Sequence, residues 1–94
     1  MIHLSREAAD DVVRVREFLA GKNPDAAKRA LAEIFAALEK VHVFPGLGKP
    51  TEDPHIRQIV VPFGSAGYFV RYTVRPDSGN VLALRIWHGR EART

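Results

Sequence analysis

The chain has 94 residues, enough for one domain, and a domain this small buries only about 60–65% of its unfolded surface, so a partner that covers apolar area would stabilise it. It has no cysteine, which excludes disulfides, iron–sulfur clusters, thiol catalysis and cysteine-based zinc sites, and fits a reducing compartment. The net charge of +3 is unevenly spread. Residues 1–55 carry eight Lys/Arg against nine Asp/Glu, whereas residues 56–94 carry six arginines against Asp77 and Glu91.

In chain order, Ile2 and Leu4 fit one face of a short first strand. Ser5 can cap a helix by accepting from a free amide of its first turn, and Glu7, Asp10 and Asp11 lie near the positive end of that helix. Ala8, Val12, Val15 and Leu19 recur at helical spacing and predict one apolar stripe, with Gly21 as its stop. Asn23-Pro24-Asp25 opens a second helix with a cap, a first-turn proline and an acid. Ala27, Leu31, Ile34, Leu38 and Val41 continue its period over about four turns. Only Gly21 and Lys22 separate the two, which predicts an antiparallel helical hairpin over residues 5–43.

From Phe44 to Pro54, three prolines and two glycines predict a loop. Ile56–Val61 reads as the next strand, Pro62–Gly67 as a connector, and 67–75 and 81–88 as two further strands around a turn at 76–80. Short links between consecutive strands predict an antiparallel meander. Alternation puts Tyr68, Val70, Tyr72 and Val74 on one face, with Phe69, Arg71, Thr73 and Arg75 on the other. In the last strand the same rule sets Leu82, Leu84, Ile86 and His88 against Val81, Ala83, Arg85 and Trp87. The expected class is α+β: one domain over residues 1–94, with the hairpin packed on a small, mainly antiparallel sheet spanning 56–88.

No apolar run approaches the ~20 residues of a membrane helix. The opening Met1-Ile2-His3-Leu4 lacks the order of a secretion signal, so a cytoplasmic protein with no membrane association is expected. His3, His42 and His55 show no ligand spacing, so neither a metal nor another cofactor is expected. Gly46 and Gly48 lack the context of a phosphate loop. Arg6, Arg14, Arg16, Lys28, Arg29 and Lys40 alternate with acids and read as solvated helix faces.

The sheet half is different. Its basic residues are all arginine, which suits bidentate contact with carboxylate or phosphate. Arg71 and Arg85 are expected on one open sheet surface. The plainer readings stand beside this one. Arginines also protect sheet edges, Arg57 can pair with Glu52 or Asp53, His88 can cap the apolar face, and Trp87 can be packing.

The order of elements and several motifs resemble the RelE/ParE superfamily of bacterial type II toxin–antitoxin toxins. The motifs are Asn23-Pro24-Asp25-Ala26-Ala27, Phe44-Pro45-Gly46-Leu47-Gly48-Lys49-Pro50, Arg57-Gln58-Ile59-Val60-Val61, Tyr68-Phe69-Val70-Arg71-Tyr72-Thr73-Val74 and Trp87-His88-Gly89-Arg90. The resemblance implies a growth-inhibiting toxin, of the kind known from plasmid stabilisation modules. It also implies a hetero-oligomer with a cognate antitoxin, whose acidic or amphipathic tail would cover Arg57, Arg71, Arg85, Trp87 and Arg90.

Two activities follow from the resemblance. ParE-like members bind and poison DNA gyrase and need only a recognition surface; this branch is favoured. RelE-like members are endoribonucleases that cut mRNA on the ribosome, without metal, by 2′-hydroxyl attack. Here that chemistry would draw on Arg57, Arg85, His88 and Arg90. Against it, Lys49 is the lone flanking lysine, no tyrosine follows Arg90, and no carboxylate base is evident. A third reading is a degenerate toxin that only binds its antitoxin.

Overall fold

A computed structural model describes residues 1–64 and 66–90. The elements are β1 (Ile2–Leu4), α1 (Arg6–Ala20), α2 (Pro24–Val43), β2 (Lys49–Pro50), β3 (Arg57–Phe63), β4 (Ala66–Val74) and β5 (Val81–His88). Both helices start where side-chain caps dictate. The Ser5 hydroxyl accepts from Ala8 N–H at 3.0 Å. Asn23 Oδ1 accepts from the amides of Asp25 and Ala26, with Pro24 opening the helix.

The strands form one sheet in the order β1-β5-β4-β3-β2. From β2 to β5 the pairing is antiparallel, as the short connectors require, and β1 joins the far side of β5 in parallel. The sheet is therefore mixed, with its antiparallel part dominant. The expected loop after α2 contains the two-residue β2, which pairs Lys49 with Gln58 and Pro50 with Arg57.

The helices cover one face. Val15, Ile34, Leu38 and Val41 pack on Ile59, Val61, Tyr68, Val70, Tyr72, Val81, Ala83 and Ile86 in a single core. Each large aliphatic side chain so buried contributes about 1.5–3 kcal/mol. Leu31, expected in the core, packs at its margin while Ala30 is fully buried, a rotation that lets α2 approach closely.

The expected alternation of β5 needs correction. Tyr72 stands opposite Ala83 but Arg71 opposite Arg85, so Leu84 is an inserted residue, a β-bulge. The bulge shifts the alternation by one. Val81 and Ala83, expected on the outer face, are buried on the helix side with Ile86, and Leu82 and Leu84 are only half-buried.

Candidate functional site: an arginine–aromatic face and a latched edge

Cross-strand register decides which side chains share the face away from the helices. Gln58 lies opposite Arg71, Val60 opposite Phe69, and Phe69 opposite Trp87. The Phe69 and Trp87 rings stack with centroids 5.5 Å apart and planes 17° off parallel. The Arg71 guanidinium lies 5.3 Å from the Trp87 ring centre, a cation–π contact. Arg71 Nε donates to Gln58 Oε1 at 3.0 Å, and its terminal nitrogens have no hydrogen-bond partner among the described residues. The guanidinium is thus held beside the Trp87 ring with its fork available to an anion. Gln58, Val60, Phe69 and Arg71 continue into an open groove of ≈ 980 Å³ bordered by Ala36, Ala37 and Lys40 of α2 and by Leu47 and Lys49.

The other expected site residues lie elsewhere. Arg57 pairs with Tyr72 and so belongs to the helix side of the sheet, not to the face of Arg71. Its Nη1 donates to Gly48 C=O at 2.7 Å, and it forms no ion pair with Glu52 or Asp53 among the described residues. His88 stands opposite Tyr68, with its ring edge-on to that tyrosine at 5.2 Å. Its Nδ1 accepts the N–H of Arg90, which is exposed. Tyr68 and Tyr72 are four positions apart on β4, so Arg57 and His88 are separated by roughly 13 Å along the sheet.

Arg85 departs most from expectation. Its backbone does face Arg71 across the strands, but its guanidinium is held at the sheet's edge by a residue that sequence reading had set beside the helix dipole. Asp11 of α1 is buried, and its Oδ2 accepts from Arg85 Nε at 2.9 Å and from Ile86 N–H at 2.8 Å. Arg14, read as solvated, donates to Asp11 Oδ1 through Nη1 and to Ile86 C=O through Nη2 at 3.0 Å. Burial drives the Asp11 pKa up, but the bonds from Arg85, the Ile86 amide and Arg14 outweigh it and leave the carboxyl below its ordinary value.

The arrangement has a plain logic. β1 pairs with β5 only as far as Leu4 with Ala83, and Ser5 bonds the carbonyls of Ala83 and Leu84. Beyond that point α1 satisfies the edge of Ile86 with side chains in place of a strand. The signal was present in the sequence, since Ala8, Asp11 and Val15 fall at the three-and-four spacing of the buried stripe.

Tyr72 was also under-read. Its hydroxyl, expected at the rim, donates to Pro45 C=O at 2.9 Å and accepts from Gly48 N–H at 2.8 Å. With Arg57 it clamps the loop after α2. Among the described residues, no cluster of three His, Asp or Glu is placed to hold a metal, and no helix is long and apolar enough to cross a membrane.

Residues 2–93 match the model of a known family, the ParE toxin of the type II toxin–antitoxin system parDE. The chain belongs to the ParE toxin family. As a ParE-family protein it is a type II toxin of the RelE/ParE superfamily, as its motifs implied. Its similarity extends to relatives under both names. It is 33% identical to Toxin RelE3 of Caulobacter vibrioides over 92 residues, covering 98% of this chain and 97% of that one. It is 36% identical to Toxin RelE1 of the same organism over 90 residues, covering 96% and 94%.

Solved structures show the same α+β fold. A chain of the chromosomal ParDE system from P. aeruginosa superposes with a TM-score of 0.73 at 20% identity, covering 93% of the ParE-family chain and 92% of its own. A chain of the intact E. coli RelBE toxin–antitoxin complex gives 0.65 at 16% identity, covering 99% and 98%.

Proposed function

We propose that this toxin arrests growth by docking on DNA gyrase and poisoning it, without cutting RNA, and that a cognate antitoxin in the cytoplasm neutralises it. The observation that carries this reading is the dispersal of the groups RNA cleavage would need. Arg57 is engaged with Gly48 C=O, Arg85 with Asp11 and His88 with the Arg90 amide, at separate positions. A ribose 2′-hydroxyl attack needs a base, an acid and cations converging on one phosphate, within about 3 Å of the atoms they serve. A docking protein needs only a stable surface. No cofactor enters this reading.

For the antitoxin we assign the Arg71–Trp87 face and the groove beside it. Arg71 keeps part of its fork for a carboxylate, and Phe69, Val60 and Leu47 offer apolar area to an amphipathic tail. Arg57 and Arg85 serve this surface by holding the loop and the edge that frame it. The relatives named RelE favour the alternative, a ribosome-dependent endoribonuclease.

Expression without the antitoxin separates the readings. Gyrase poisoning gives lost supercoiling, trapped gyrase–DNA complexes and an SOS response while translated mRNA stays intact. In-frame mRNA cleavage without any effect on gyrase would sink the proposal. A folded chain that arrests nothing would leave only an antitoxin-binding module.

A further inference from the structure

Among the described residues, three of the seven exposed large apolar side chains fall within five positions: Val43 at 66%, Phe44 at 65% and Leu47 at 52%. They sit on the turn that ends α2. Gly46 stands between Phe44 and Leu47, and a Cβ placed on it would meet nothing within 4 Å, so this turn projects outward.

The turn is also rigid. Phe44 N–H bonds Lys40 C=O at 2.8 Å and Leu47 N–H bonds Phe44 C=O at 3.0 Å. Tyr72 Oη ties Pro45 C=O to Gly48 N–H, and Arg57 holds Gly48 C=O. Five hydrogen bonds therefore fix a segment whose apolar side chains face water. The backbone share of the ordering entropy of binding is thereby reduced, which favours an aromatic anchor.

Shape identifies the kind of partner. An extended acidic tail can line a groove, but it has no concavity to receive a projecting turn; a folded protein with a pocket does. Charge narrows it further. The two hollows that share residues with the turn contain Lys40, Lys49, Arg57 and Arg71 against Glu33 and Glu52. We propose that the 43–47 turn is the anchor by which this toxin engages its folded protein target, seating Phe44 and Leu47 in an apolar pocket whose rim carries carboxylates. This rests on the reading that the target is a protein, gyrase, and it assigns the contact to the turn rather than to the Arg71 face.

The test uses purified full-length toxin with gyrase and, separately, with its antitoxin. Two variants are compared with the parent: Phe44→Ser, and Gly46→Glu, which adds an acid at the tip where a Cβ meets nothing within 4 Å. Both should melt like the parent and hold the antitoxin with unchanged affinity. Both should need at least a tenfold higher concentration to inhibit supercoiling and to bind gyrase. If the parent inhibits gyrase and both folded variants inhibit it equally, the anchor is wrong and the gyrase reading survives. Variants that lose the antitoxin instead would assign the turn to that partner and overturn the inference. A parent that leaves gyrase untouched and cuts mRNA removes both.

Discussion

Asp11 shows how one side chain can hold together elements distant in sequence. Its side chain is 4% exposed, whereas the side chains of Arg14 and Arg85 are each 43% exposed, so the cluster is half in water on its cationic side. Breaking a fully buried pair costs about 3–5 kcal/mol, and solvent screening lowers that here. Asp11→Asn should therefore cost about 2 kcal/mol and lower the melting temperature by about 8–15 °C. The pH dependence has a defined sign. Because the folded carboxyl sits below its ordinary value, its contribution is complete at neutral pH and is lost as pH falls through that depressed value. Thermal melts from neutral pH into the acid range should show this loss in the parent and not in the asparagine variant. Tyr72→Phe tests the other buried polar contact. It leaves the Gly48 amide without its partner and should cost about 1–3 kcal/mol, read by denaturant unfolding.

The elements differ in how far local sequence determined them. The helical hairpin was legible because caps and periodicity are local: Ser5 and Asn23 accept from amides within three residues, and Pro24 opens the second helix. The strands were legible as elements, and the inward set of β4 followed from alternation alone. The faces of β5 were not, because a bulge at Leu84 leaves no mark in a run of Val, Leu, Ala, Leu and Arg. The Arg71–Trp87 half of the site was legible for the same reason that β4 was. Arg57 and Arg85 were misplaced because their bonds reach Gly48 and Asp11, 9 and 74 positions away, and no local pattern encodes those. The loop after α2 carries its own test. A Cβ on Gly48 would fall 2.8 Å from the Tyr72 hydroxyl oxygen and 2.9 Å from the Gln58 carbonyl oxygen, the latter part of a paired backbone. Gly48→Ala should destabilise by about 1–3 kcal/mol, whereas Gly46→Ala should be close to neutral in the same unfolding measurement.

At the scale of the whole molecule, the chain contains a single tryptophan, and it lies under Arg71 against Phe69 on the proposed antitoxin face. Antitoxin binding should therefore change the intrinsic emission of Trp87, and Arg71→Ala should weaken that binding by about 1–3 kcal/mol in a fluorescence titration. The positive half of the chain would also hasten encounter with an acidic tail. That association rate should fall as salt rises, while Phe44→Ser leaves the salt dependence unchanged.

The side-chain closure of the β5 edge has a consequence in time. Strand β1 finds its partner 79 residues onward, Ile2 with Val81, and Asp11 finds Arg85 and Ile86 later still. Elements made early, β1 and α1, are thus completed by β5, made some 70 residues or more later. Until Val81–Ala83 are available β1 has no strand to join, and until Arg85 and Ile86 follow, the Asp11 carboxylate lacks their bonds, so the chain cannot assemble its sheet in the order in which it is made. A chain stopped before Val81 should remain unfolded and harmless. In the interval before β5 arrives, both helices and the other strands have been made and the sheet is still without the strand that joins β1 to β4.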